Sequence, residues 1–256
     1  MKNKKNRKPL LIVMSLVVVA IAIAGFYVYR KYDLHRVKTK VTNVARKPHK
    51  PDPYYDKVYG HGIDLSHHNA TPDWNKLEVD FVFLKATEGT NYVDPTFKAR
   101  KAECLQHKIP VGAYHFFTGI KNPKSEFENF KKTLSNLDLI PVLDIERKPK
   151  SLTTKQYQKK FITFCKEFYK EYGCLPIIYT SEGFYISYLE EPLKENFPQL
   201  EPYILWFGDV GQDYKRYLNT PSIHQKAITN VKGCKGKVDL NELHTELDNL
   251  YWQKKR

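Results

Sequence analysis

The sequence predicts an irregular TIM-like (β/α) barrel of eight strands and fewer helices, preceded by a single N-terminal transmembrane helix. Three observations predict it. From Val58 onward, short apolar runs alternate with amphipathic helical stretches, the pattern of a parallel sheet covered by helices. Eight such runs fall within 58–253, and the first strand-to-helix turn is Ser66-His67-His68-Asn69, without glycine. An open doubly wound sheet would usually carry a glycine-rich phosphate loop at that turn, so a closed barrel fits better. Upstream, 9–29 is an uncharged apolar run, and about twenty such residues suffice to cross a bilayer as a helix.

The chain divides accordingly into a basic tail (1–8), the membrane helix (9–29), a tether (30–57) and the barrel domain (58–253). Lys2, Lys4, Lys5, Arg7 and Lys8 precede the apolar run and would stay in the cytoplasm, which places the domain outside it, on the periplasmic or cell-wall side. Tyr27 and Tyr29 fall where an interfacial aromatic belt would lie. The rival reading, a cleaved signal peptide, calls for a shorter apolar core of about 7–15 residues and a small-residue cleavage site. The tether is basic and contains Pro48, Pro51 and Pro53.

Within the domain the expected strands cover 61–64, 81–84, 110–115, 140–144, 176–179, 203–206, 223–225 and 237–240. Each is short and nearly continuous in apolarity, as strands covered on both faces are. Asp94-Pro95 and Asn122-Pro123 each read as a helix N-cap followed by proline at the first helical position. Thr153 with Gln156 forms a capping box, and Tyr157, Phe161, Phe164, Cys165, Phe168 and Tyr172 follow as a helical stripe. Gly173 is placed to end that helix in the left-handed conformation. After about residue 200 helices thin out and loops join the last strands.

The net charge of +14 suggests nucleic acid until it is located. Residues 1–50 hold 13 of the 42 Lys/Arg and one of the 28 Asp/Glu, which leaves 29 and 27 for the rest. The domain is therefore close to neutral, and a neutral domain without a basic stripe excludes nucleic acid as the partner. The four cysteines show no metal-ligand spacing. Cys104 and Cys165 read as buried thiols on helix faces, whereas Cys174 and Cys234 fall in expected loops where a disulfide is open to them.

The chemistry points to carboxylates. Barrel enzymes place catalysis at the C-terminal ends of their strands, and Asp64, Asp144, Glu146 and Asp239 are expected at such ends. Asp144 and Glu146 stand two residues apart, on one face of an extended chain and roughly 6.6 Å along it. Paired carboxyls at such separations serve glycosidic hydrolysis, about 5–5.5 Å apart in retaining enzymes and 6.5–9.5 Å in inverting ones. Mutual repulsion and burial raise one of the pKa values. That role is assigned to Glu146 for its longer arm, with Asp144 and Asp64 expected to stay ionised.

In order and spacing these residues resemble glycoside hydrolase family 25, the lysozymes that act as endo-N-acetylmuramidases. The resemblance runs from about Tyr59 to Leu243. It is carried by Gly62-Ile-Asp-Leu-Ser66, Asp73-Trp74, Phe83-Leu-Lys-Ala-Thr-Glu-Gly89, Val111-Gly-Ala-Tyr-His-Phe116, Pro141-Val-Leu-Asp-Ile-Glu146, Ile178-Tyr-Thr-Ser181 and Val238-Asp-Leu-Asn241. The resemblance implies an irregular eight-stranded barrel acting on the glycan strands of peptidoglycan, without a cofactor. It implies Glu146 as general acid/base beside Asp144 and Asp64, with Asp239 at the last strand. It also implies Asp144 as the group that orients the substrate N-acetyl in a substrate-assisted reaction. Two departures stand out: the family often shows Trp-Gln on the seventh strand where this chain has His224-Gln225, and Phe207-Gly208-Asp209 follows Trp206 where a small residue and Tyr are more usual.

Tyr114, Phe116, Tyr179, Trp206 and Gln225 are expected to line the sugar groove, with plain packing as the competing role for each ring. A zinc site at His67, His68 and His115 is discounted because adjacent histidines in a strand point opposite ways. Ser66 lacks the nucleophile-elbow glycines. Lys85 and Glu88 are expected to pair near the mouth. Two other functions fit less well: a chitin-type β-glycosidase, and a non-catalytic peptidoglycan-binding protein, against which all four acids weigh.

Overall fold

The computed structural model describes residues 57–211 and 221–252. The expected membrane helix and nearly all of the tether lie outside them, and no helix among the described residues is long and apolar enough to cross a membrane.

Nine strands form one sheet: β1 (Gly60–Leu65), β2 (Phe81–Glu88), β3 (Tyr92–Val93), β4 (Val111–Phe116), β5 (Val142–Asp144), β6 (Ile177–Thr180), β7 (Leu205–Phe207), β8 (Ile223–Asn230) and β9 (Lys237–Leu243). Parallel ladders run β1–β2–β4–β5–β6–β7–β8, and β9 closes the cylinder by pairing antiparallel with both β8 and β1. Eight strands make the barrel, as expected, and β3 is a short arm folded back on β2. The wholly parallel sheet is corrected at β9. Only 231–236 separate β8 from β9, and a parallel return needs a crossover of a dozen or more residues, so the chain turns back as a hairpin. Gly233 and Gly236, at φ 86 and 87, permit that turn.

The principal helices are α1 (Phe97–Gln106), α2 (Pro123–Lys131) and α3 (Thr154–Tyr172). Beyond β6 a short α4 (Glu182–Phe184) continues through a π turn (Tyr185–Leu189) into α5 (Glu190–Asn196). The Asn122 side chain accepts from the Lys124 amide ahead of Pro123, both halves of the Thr153–Gln156 capping box form, and Gly173 ends α3 at φ 70. The start of α1 differs from expectation. Asp94 does not cap it directly; its carboxylate binds the Thr96 amide and hydroxyl and both the amide and ring of His67, so the helix opens at Phe97. No disulfide joins the four cysteines, Cys174 and Cys234 included.

The pleat divides the core in two. Outward positions such as Val82, Leu84, Ala113, Leu143 and Ile178 pack against the helices with Phe127, Phe130, Phe161, Phe164 and Phe168. Inward positions form a second cluster of Phe81, Phe83, Val142, Ile177, Trp206, Ile223 and Leu243. Two glycines make room for its rings. A Cβ on Gly62 would collide with the ring of Phe81, and one on Gly112 with that of Phe83. Gly62→Ala is therefore expected to destabilise the barrel by about 3 kcal/mol, the upper range for overpacking a full core. An unfolding free energy from urea titration within about 0.5 kcal/mol of wild type would show that the ring can move aside.

Candidate active site

The same alternation that buries Phe81 and Phe83 brings polar side chains to the upper end of the barrel interior. One step further along each strand stand Asp64, Tyr114, Asp144, Tyr179 and Gln225, all facing an open pocket of about 150 Å³. Glu146 joins them two residues past Asp144, in line with the same-face argument; the ladder runs on between them, the Ile145 amide donating to the Tyr179 carbonyl. Asp239 arrives by a different route. It lies near the start of its strand, not at a C-terminal end, and reaches this rim because β9 runs backwards, setting Asp239 opposite Asp64. The structure thus brings together all four acids expected from sequence.

Two hydrogen-bond chains hold Asp239 and Asp64. Tyr179 donates to Gln225 Oε1 at 2.7 Å, and Gln225 Nε2 donates to Asp239 at 2.8 Å. Trp206 Nε1 donates to Asn241 Oδ1 at 3.0 Å, and Asn241 Nδ2 donates to Asp64 Oδ2 at 2.9 Å. Asn241 was not among the expected site residues. Its signal was present in parity: it stands two residues from Asp239 and so shares its face. The opposite oxygen condition holds at Asp144, whose buried Oδ1 has no hydrogen-bond partner among the described residues.

Two of the expected aromatic groove residues are placed differently. Trp206 lines the pocket but is only 2 % exposed, wedged against Phe83 and Tyr179 at centroid distances of 5.1 Å. It forms the floor, and its ring nitrogen is committed to Asn241, so it positions Asp64 indirectly. Phe116 is not among the lining residues; it lies under the Lys85 ammonium, 5.2 Å from its ring centre, while Lys85 pairs with Glu88 at 2.6 Å as expected. Tyr114, Tyr179 and Gln225 do line the pocket. The rings of His67 and His68 lie side by side, centroids 3.8 Å apart and tilted by 41°, instead of pointing apart, because Ser66–Asn69 is a turn and not strand.

Burial of the carboxyls in the barrel mouth sets the proton chemistry of the site. Burial and the charge of Asp239 push Asp64 up to about 8. Burial, then Glu146 and Asp64, hold Asp144 well above the usual carboxylate range. Glu146 and Asp239 are raised by burial, Glu146 with partial relief from Arg147 and Asp239 from its bond to Gln225. The expected division, with Glu146 alone raised and Asp144 and Asp64 ionised, is corrected. Depth of burial, not arm length, sets the order, and the two aspartates lie deepest. The four groups therefore hold protons between them near neutral pH, and a protonated carboxyl is available beside an unpartnered carboxylate oxygen.

The family profile described as Glycosyl hydrolases family 25 matches residues 63–228 of this chain. An uncharacterised Escherichia coli K12 protein, YegX, is 33 % identical over 205 residues, which cover 74 % of this chain and 71 % of that one. The autolytic lysozyme of Clostridium acetobutylicum is 27 % identical over 197 residues, covering 71 % of this chain and 55 % of its own. Among solved structures, a Streptomyces coelicolor lysozyme superposes with TM-score 0.63 at 24 % identity, covering 74 % of this chain and 94 % of its own. A family 25 glycosyl hydrolase from Bacillus anthracis does so with TM-score 0.63 at 22 % identity, covering 81 % and 97 %. These two show the same fold. With its profile match spanning the strands that carry Asp64, Asp144, Glu146 and Gln225, the chain belongs to glycosyl hydrolase family 25 and is a glycoside hydrolase of the lysozyme type.

Proposed function

We propose that this protein cleaves the β-1,4 bond between N-acetylmuramic acid and N-acetylglucosamine in peptidoglycan, with its barrel held at the outer face of the cell membrane by the segment 9–29. The observation that carries the reading is the convergence of Asp64, Asp144, Glu146 and Asp239 on one open pocket above an aromatic floor. Relatives named as lysozymes support it.

Glu146, the least enclosed of the three acids at its end of the pocket, gives its proton to the glycosidic oxygen as the bond to C1 breaks. The substrate's own N-acetyl oxygen attacks C1, and the free oxygen of Asp144 accepts the N-acetyl N–H and holds the group in line. Asp64 and Asp239 face the positive charge that develops on the ring. Glu146, now ionised, takes a proton from the water that opens the cyclic intermediate, so the anomeric configuration is retained. Tyr114 and Tyr179 line the walls as sugar-contacting rings.

The test is mass analysis of products from the purified full chain acting on peptidoglycan and, in parallel, on chitin oligomers. Muropeptides ending in reducing N-acetylmuramic acid are expected, released as the β-anomer. New reducing ends from chitin alone would replace the muramidase reading with a chitin-type one. Anchoring is tested separately: the protein should stay with membranes through a high-salt wash and leave only in detergent, whereas release by salt would remove the anchor.

A further inference from the structure

The outer face of the β8–β9 hairpin carries a second cluster of chemistry-bearing side chains. Gln225 lines the pocket and Asn241 donates to Asp64 from the same inner face, so their neighbours His224 and Glu242, directly paired across the two strands, point out of the barrel. His244 follows one residue past β9. One nitrogen from each histidine and one oxygen of Glu242 all lie within 4.8 Å of one another. The His244 Nε2 stands 3.9 Å from Glu242 Oε2. Both rings are buried, at 0 % and 4 % exposure, while Glu242 is partly open.

We propose that His224, Glu242 and His244 bind a zinc ion on the outside of the barrel. Two imidazoles and one carboxylate suit zinc, a borderline-soft ion that takes nitrogen and oxygen ligands at about 2.0–2.2 Å. Tetrahedral binding at those lengths brings ligand atoms to roughly 3.4 Å from one another, so the three must close by about an ångström. Glu242 can supply that movement. Its present partner is Lys226, 3.3 Å away and itself half exposed, which is free to swing into solvent. The fourth position is left to water: His244 lines a cavity of about 410 Å³ with Tyr59, Tyr203, Ser222 and Glu246, which also gives the ion a way in. The His224 ring also faces the backbone of Asp209, and that of His244 the backbone of Lys57, the kind of outer support that fixes a ligating ring.

The ion would act as a clamp. It ties β8 to β9 and to the turn that follows, and the inner face of the same two strands presents Gln225 and Asp239 to the pocket and Asn241 to Asp64. No role in bond cleavage is assigned to it.

Zinc uptake by the metal-free full chain, measured by elemental analysis after dialysis against micromolar zinc, tests this. The wild type is expected to retain about one zinc more per chain than the His224→Ala/His244→Ala variant, and its Tm to rise with zinc while that of the variant does not. Both histidines are buried, so the double variant also tests folding, and Glu242→Gln decides independently: its zinc affinity should fall at least tenfold, and the cobalt-substituted protein should lose its tetrahedral d–d absorption bands. Equal zinc content in wild type and the folded double variant, or unchanged affinity in Glu242→Gln, overturns the proposal.

Discussion

Glu146→Gln is expected to lower kcat on peptidoglycan by about a thousandfold, the middle of the range for removing a general acid–base group. The amide keeps the size of the side chain and cannot give a proton to the leaving oxygen or take one from water. Glu146 lies at the pocket and contributes no hydrogen bond that holds the barrel together among the described residues, so the fold and the affinity for glycan fragments should persist within a few-fold. The pH profile adds a second readout. Burial raises Glu146, so the protonated form needed for the first step persists above the ordinary glutamate range and disappears as pH climbs further. The alkaline limb of kcat/KM in the wild type should therefore be lost in the residual activity of the variant. A variant that turns over at the wild-type rate would remove Glu146 from the acid/base role and leave Asp144 to be tested in its place.

Asp64→Asn is expected to cost activity and add stability, with the gain growing from about pH 4 and largest at neutral and alkaline pH. The folded-state value of Asp64 lies near 8, against 3.8 for the ordinary side chain. A raised acid is favourable to the fold while protonated in both states, below about pH 4, and that contribution is lost as pH rises through the folded value. Between those limits unfolding releases a proton, and one group alone lowers stability by about 1.4 kcal/mol per pH unit. Asparagine does not titrate and its carbonyl still accepts from Asn241. Urea unfolding at pH 4.5 should place variant and wild type within about 1 kcal/mol, and at pH 8.5 the variant should be ahead by about 3 kcal/mol, allowing for proton sharing with Asp239. A stability difference that stays constant from pH 4.5 to 8.5 would show that Asp64 is not held protonated by the fold.

Much of this was legible in the chain itself. The apolar runs and their spacing determine eight strands, because a strand covered on both faces has no other sequence pattern to show. Asn122-Pro123, the Thr153–Gln156 box and Gly173 determine helix ends, because their interactions are made within a single turn. The acids at 64, 144, 146 and 239 were identifiable because a carboxylate within or just beyond an apolar strand has to face somewhere other than the core. What only the tertiary structure decided is whatever depends on which strands become neighbours. The reversal of β9 carries Asp239 to the rim from the start of its strand, and joins Asn241 to Asp64 across 177 positions of sequence. The burial of Trp206 as floor and the order in which the carboxylates hold their protons follow from depth inside the closed cylinder, and the His224–Glu242–His244 cluster from cross-strand register. Local pattern encodes which face a side chain takes; distance from water and partners across the barrel are properties of the assembled sheet, which no stretch of sequence contains.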